Sequence, residues 1–244
     1  MKPLAAAVSF LTRLPVGRFV RVDAADVARS AGWFPAVGIL LGAICGGAAF
    51  LLRGHLPSML AAVLLIALDA LLTGALHFDG LADTADGFGG GKDREDVLRI
   101  MRDHSIGSYG GTALTLLVAL KVAAYAALLG GGRWFPAIVL TPALGRWSIL
   151  LLTSALPYAR QTPSVVREMA KSSLVWGTLT VAAALAASRL WCAGAAAVAA
   201  IAVSACFGLY CRRRIGGITG DTLGANLQLC ECAALVAFLW THSI

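Results

Sequence analysis

The stretch "PSMLAAVLLIALDALLTGALHFDGLADTADGFGGGKD", residues 57–93, runs from an apolar segment straight into a cluster of aspartates. Its first part, 57–76, is long enough to cross a bilayer as a helix, which takes about 20 residues. Asp79, Asp83, Asp86 and Asp93 stand where that segment ends. Carboxylates are costly beside lipid, so their grouping at the end of an apolar run points to a ligand or a polar compartment.

Six more apolar runs lie outside this stretch, at about 32–52, 107–129, 134–155, 174–190, 191–211 and 223–240. The fifth and sixth of the seven are parted only around Arg189 and Leu190-Trp191, so that boundary is soft. Hydrophobic residues make up 59% of the 244 and charged residues 14%. A soluble domain carries roughly 25% charge, so the chain is built for a bilayer. The expected fold is all-α, a polytopic membrane helix bundle of about seven transmembrane helices in a single domain over 1–244. The sequence does not fix an oligomeric state and is compatible with a homo-oligomer.

Lysine and arginine set the orientation, because they are retained on the cytoplasmic side. With a cytoplasmic N-terminus, fifteen of the twenty fall in inside segments: Lys2 to Arg29, Lys92 to Arg102, Arg160 to Lys171, and Arg212 to Arg214. Only Arg53, Arg133 and Arg189 fall outside, while Lys121 and Arg146 sit within spans. Residues 1–30 then form a cytoplasmic interfacial segment, with "FLTRLP" as a short helix ending at Pro15. They do not form a cleaved signal, since the apolar part is short and the arginines follow it. The site faces the cytoplasm of a cell (inner) membrane. The net charge of +7 reflects this topology and affinity for anionic lipid, and no basic, aromatic-laced soluble face calls for nucleic acid. None of the six cysteines forms a C-x-x-C pair or a zinc pattern with histidine, so all are expected to be packing residues.

Asp79, Asp83 and Asp86 are four and three apart, so a helix projects them from one face. Three ionised carboxylates so close need compensation. Mg²⁺ fits, because it takes carboxylate oxygens, keeps waters and bridges to phosphates; the ligand spacing excludes an EF-hand. His77 is a proton carrier or a partner to a metal ligand, and Asp69, in the preceding run, is a weaker ligand candidate. A solvated acidic cap at a helix exit would explain one aspartate better than three. Residues 77–106 make up the cytoplasmic acidic and basic segment: a flexible Gly89–Gly91, then a helix from about Asp93 to Asp103, with Asp93 as its cap. Lys92, Arg94, Arg99 and Arg102 are within reach of the acids, and arginine binds phosphate bidentately. Glu95–Arg99 pairing and topology account for some of these cations.

A second cluster, "RRRIGGITGDTLGANLQLCE" (212–231), has too many glycines for an ordinary helix start. Its loop, 212–224, falls on the same side as the aspartates and offers Gly220 and Asp221 as substrate ligands, unless Asp221 only caps the next helix. Glu231 lies nearly three turns deeper and either serves a function or pairs with Lys121 or Arg146.

The segments "FLTRLPVG", "WFPAVGILLG", "HFDGLADTADG", "IMRDHSIGSYGG", "PYAR" and "GGITGDTLGA", in this order, resemble the cobalamin synthase family, the adenosylcobinamide-GDP ribazoletransferases. The resemblance implies an integral membrane, Mg²⁺-dependent transferase of cobalamin biosynthesis. Such an enzyme joins adenosylcobinamide-GDP to α-ribazole or its 5′-phosphate, giving adenosylcobalamin or its phosphate, and releases GMP. It implies metal ligands at Asp79, Asp83 and Asp86 and a base at Asp86 or His77. Lys92, Arg99, Arg102 or Arg146 would stabilise the leaving GMP. The family often has arginine where Ser105 stands, which shifts that phosphate contact to Arg102 or His104. The nearest rival, a CDP-alcohol phosphotransferase, needs D-G-x-x-A-R and a later D-x-x-x-D, and neither is present. An ion-coupled transporter would use Asp69, Lys121, Arg146 and Glu231 as a path, but no inverted repeat supports it.

Overall fold

The computed structural model describes residues 2–103, 105–132, 134–161, 164–169, 172–188 and 191–240. Twelve α-helices run through them: α1 Lys2–Leu11, α2 Ala24–Ser30, α3 Phe34–Leu52, α4 Ser58–Thr73, α5 Leu76–Gly90 and α6 Arg94–Ile100, followed by α7 Ser108–Gly130, α8 Trp134–Ala155, α9 Val165–Glu168, α10 Ser172–Ser188, α11 Trp191–Ile215 and α12 Gly220–Trp240. Among the described residues only isolated bridges, Arg53–Leu56 and Tyr158–Ile218, stand in for strands.

Five helical stretches are long and apolar enough to cross a membrane: Ala24–Leu52, α7, α8, α11 and α12. By length and composition alone the described residues thus give five candidate spans, or six if α4 and α5 are taken as one bent span, where the sequence leads us to expect seven. The difference arises in two places. The run at 57–76 does not continue straight: Gly74 (φ 64°) and Ala75 (φ 59°) are left-handed, and α5 turns 92° away from α4. Hydropathy sums over a window register no change of direction there. The run at 174–190 becomes α10, among the shorter apolar helices. Because α8 ends and α11 ends beside the same loops, α10 carries the chain from that end of the bundle back to the other. Phe50, Leu71, Val198 and Trp240 are among the large apolar side chains left exposed, as suits a surface that meets lipid.

At the centre lies α8, buried along most of its length. Its contact with α3 is backbone on backbone. A Cβ at Gly42 would fall 2.7 Å from Val139 Cα, and one at Gly38 would meet Pro142 and Ala143. Small residues let membrane helices approach this closely, where van der Waals contact replaces a missing hydrophobic drive. The α11–α12 seam uses alanines in the same way, with Ser204 placed against Asn226 (3.2 Å) and Cys230 (3.3 Å).

The N-terminal segment folds under one end. The buried side of α1, Ala6, Ala7, Val8 and Leu11, packs inward; Lys2 bonds Asp26 at 2.8 Å, and Phe10 stacks on Phe34 with centroids 5.9 Å apart. Arg13 N donates to Leu72 O at 2.6 Å, tying this segment to the end of α4 beside the bend.

Candidate active site

The bend lays α5 across one end of the bundle, and its sequence suits close packing on α12. A Cβ at Gly80 would fall 2.8 Å from Asp221 O, and one at Gly224 only 3.3 Å from His77 Cα. The two glycine-bearing motifs, 140 residues apart, therefore touch through their backbones. This contact brings Asp79 and Asp221 to one cavity of about 150 Å³. Its other walls are largely apolar, with Phe10, Leu11, Phe34, Ile149, Val166 and Met169, while His77 lies at its inner side. His77 is buried and its Nδ1 has no hydrogen-bond partner.

Asp221 does not cap α12. Thr219 does so: its Oγ1 accepts from Thr222 N at 3.2 Å, while Thr222 Oγ1 accepts from Thr219 N at 2.8 Å. The Asp221 Oδ2 accepts from Arg160 Nη2 at 3.0 Å and from Thr219 Oγ1 at 3.3 Å, and Asp221 lines the cavity. Arg160 belongs to the Tyr158–Ile218 bridge region, where Ile218 N donates to Pro157 O and Ala159 N to Ile218 O. In the sequence Arg160 reads only as topological charge. The "PYAR" segment was the signal that could have marked it.

The remaining candidates divide sharply. Asp83, half-buried, lies one turn beyond Asp79 on α5. Asp86 departs from the expected role. Its carboxylate oxygens accept from Gly107 N and Gly110 N, both at 2.8 Å, so it anchors the start of α7. Gly107 and Gly110 are the residues that leave space for that carboxylate. Among the described residues no three histidine, cysteine or acidic side chains gather as a ready-made metal cage. The three-aspartate set is thus not assembled as expected; one helix face does not bring its members to one point when a neighbouring helix claims one of them.

Arg146 also departs from expectation. It is buried inside the bundle, where its Nη1 donates to Glu231 Oε1 at 2.5 Å, with Lys121 Nζ on Glu231 Oε2 at 2.6 Å. Lys121 further donates to Gln228 at 2.5 Å. The intramembrane charges therefore compensate each other away from the cavity, rather than lining an ion path. Asp69 stands near this group, with Oδ1 buried and unpartnered.

Lys92, Arg99 and Arg102 are exposed and line neither cavity at this end. Arg99 pairs with Asp96, and this bond, more than that from Lys92 N, holds the Asp96 carboxyl below the usual carboxylate range. Asp93 caps α6, accepting from Glu95 N at 3.0 Å and Asp96 N at 2.9 Å. The glycines at 89 and 90 remain within α5. Two arginines fasten this region to the second motif: Arg94 donates to Ile215 O (2.9 Å) and Ala159 O (2.5 Å), and Arg214 to Phe88 O (2.8 Å) and Gly91 O (2.9 Å). His104, Arg133, Lys171 and Arg189 lie outside the described residues, as does the side chain of Arg167.

Fold and site together define a polytopic membrane protein whose paired carboxylates, drawn from two distant motifs, face a small cavity at one end of the bundle. The family model described as cobalamin-5-phosphate synthase matches residues 3–239, and the chain belongs to that family. A relative in Syntrophobacter fumaroxidans, an adenosylcobinamide-GDP ribazoletransferase, is 40% identical over 238 residues, covering 95% of each chain. Relatives of the same description in Rhizobium meliloti (40%; 96% of this chain, 94% of the relative) and Pseudomonas paraeruginosa (41%; 97% of both) are similar. No solved structure matches.

Proposed function

We propose that this protein joins adenosylcobinamide-GDP to α-ribazole or its 5′-phosphate, releasing GMP, as the printed name of its relatives describes. The observation that carries this reading is the convergence of Asp79 and Asp221 on one cavity through the glycine contact of α5 and α12. Mg²⁺ binds through one or two carboxylates plus substrate phosphates, so two carboxylate residues on one cavity without a complete cage fit it. Asp79 and Asp221 would hold the ion, with Asp83 next in line on α5. When bound, it neutralises charge on the diphosphate as the phosphorus is attacked.

The chain's own groups do the rest. The apolar walls at Phe10, Phe34 and Ile149 exclude water, so the activated phosphorus meets the riboside hydroxyl rather than solvent. His77 Nδ1, buried and unpartnered beside the cavity, is the atom placed to take the hydroxyl proton. His77 is assigned the base role ahead of Asp86, whose oxygens already accept from two backbone N–H groups at the start of α7. The site faces the cytoplasm of the cell membrane in this reading. In its support, Arg94, Arg160 and Arg214 lie at the site end, whereas Arg53 bonds Leu129 O and Gly131 O at the other.

The test is direct. Purified protein is incubated with adenosylcobinamide-GDP, α-ribazole and MgCl₂, and GMP and a cobamide are sought by chromatography. Wild type should form both and lose them with EDTA. Asp79→Asn and Asp221→Asn should each lower turnover at least about 100-fold, since each removes transition-state charge compensation. No GMP from wild type, or near-full turnover in both variants, would overturn the assignment.

A further inference from the structure

Beside the carboxylate cavity lies a second chamber of about 430 Å³. Val166, within the short helix α9, and Met169, just past its end, line both, so the two are neighbours across a thin apolar partition. Their chemistry is opposite. The smaller holds two carboxylates. The larger is lined by Arg94, Arg160, Tyr158 and Gln161, and by no carboxylate among the described residues.

Arg160 stands between them. One terminal nitrogen donates to Asp221, while its Nε is buried and donates to nothing. A buried guanidinium donor left unmade costs free energy that a ligand oxygen would recover. Arg94 is a different element. Bonds to Ile215 O and Ala159 O fix it at the rim, using only two of its five donors. The pair presents cationic, fork-shaped donors, the geometry that suits phosphate. Size separates the chambers further. Small-molecule sites start at roughly 300 Å³, so the larger can enclose a nucleoside and the smaller cannot.

We propose that the chamber between residues 157–161 and α9 binds the phosphate of a nucleoside monophosphate, with Arg160 Nε as its donor and Arg94 as fixed charge. This rests on the proposed function and assigns the phosphate-binding cations to residues other than Lys92, Arg99, Arg102 or Arg146. Two ligands carry that chemistry: the GMP that leaves, and an acceptor riboside that enters as its 5′-phosphate. Through Asp221, Arg160 also couples the two chambers, since one guanidinium touches the carboxylate of one and lines the other.

Binding to the detergent-solubilised full chain, without turnover, tests this by tryptophan fluorescence or calorimetry. The four probes are GMP, guanosine, α-ribazole 5′-phosphate and α-ribazole. At least one phosphorylated probe should bind about tenfold or more tightly than its unphosphorylated counterpart, and which one does so identifies the source. Arg160→Gln should erase that preference while leaving the unphosphorylated probe unchanged, and Arg160→Lys should restore part of it. Asp221→Asn removes the negative charge that competes for the guanidinium and should retain or strengthen phosphate binding, a response that loss of fold would not give. A phosphate preference that survives in Arg160→Gln, or is absent from wild type, overturns the proposal. Because no product is measured, its failure is separable from failure of the transferase reading.

Discussion

Replacing Glu231 with glutamine should be the most destabilising single conservative change in the interior. Glu231 is 2% exposed and holds two cations, Lys121 at 2.6 Å (2% exposed) and Arg146 at 2.5 Å (1% exposed). Removing one partner of a buried ion pair costs about 3–5 kcal/mol, mostly because the survivor keeps its desolvated charge. Here two survivors remain, so the upper part of that range applies. At about 2–4 °C per kcal/mol for a chain of this size, the midpoint should fall by roughly 8–20 °C. Lys121→Met, by contrast, leaves Arg146 paired with Glu231 and should cost less than half as much. Thermal unfolding of the solubilised protein can be followed with a thiol-reactive dye, since Cys45, Cys192, Cys211, Cys230 and Cys232 are buried until the bundle opens. The double variant should lose less than the sum of the singles. A Glu231→Gln midpoint within about 2 °C of wild type, or a larger loss in Lys121→Met, would refute this account of the cluster.

Three further outcomes are expected. Asp86→Ala should cost about 1–2 kcal/mol by uncapping α7, yet leave the Mg²⁺ concentration for half-maximal turnover unchanged, as metal titration of activity would show. Gly42→Ala should destabilise by about 1–3 kcal/mol because its methyl meets Val139 backbone, whereas Gly47→Ala, which meets nothing within 4 Å, should be neutral or mildly stabilising in the same melt. Gly80→Ala should push α5 off Asp221 and lower turnover at least about tenfold, with a smaller relative effect on the melting midpoint.

The features legible in the sequence were those carried by short-range pattern. Aspartates at 79, 83 and 86 do lie on one helix and Asp93 does cap the next, while the soft boundary at Arg189 lies outside the described residues. What escaped depends on partners far along the chain. Asp86 looked like its neighbours until Gly107 and Gly110, more than twenty residues away, took its oxygens. Arg146 looked available until Glu231, 85 residues on, proved to hold it. Asp221 had an unforeseen partner in Arg160, 61 residues back, and the capping role that was its alternative fell to Thr219 two residues earlier. The turn at Gly74–Ala75 was hidden for another reason: hydropathy reports solvent preference, not backbone angle, and two left-handed residues leave it unchanged.

The backbone contact between α5 and α12 means that the two carboxylate-bearing motifs can vary only together. With no side chain at Gly80 or Gly224, there is no slack by which one helix could shift and the other stay. A larger residue at either position has to be answered across the seam, so drift in one motif is confined by the other, although 140 residues of chain separate them. Freedom to vary lies elsewhere, in Phe10, Phe34 and Ile149, which shape the cavity from three other helices without setting the distance between its acids.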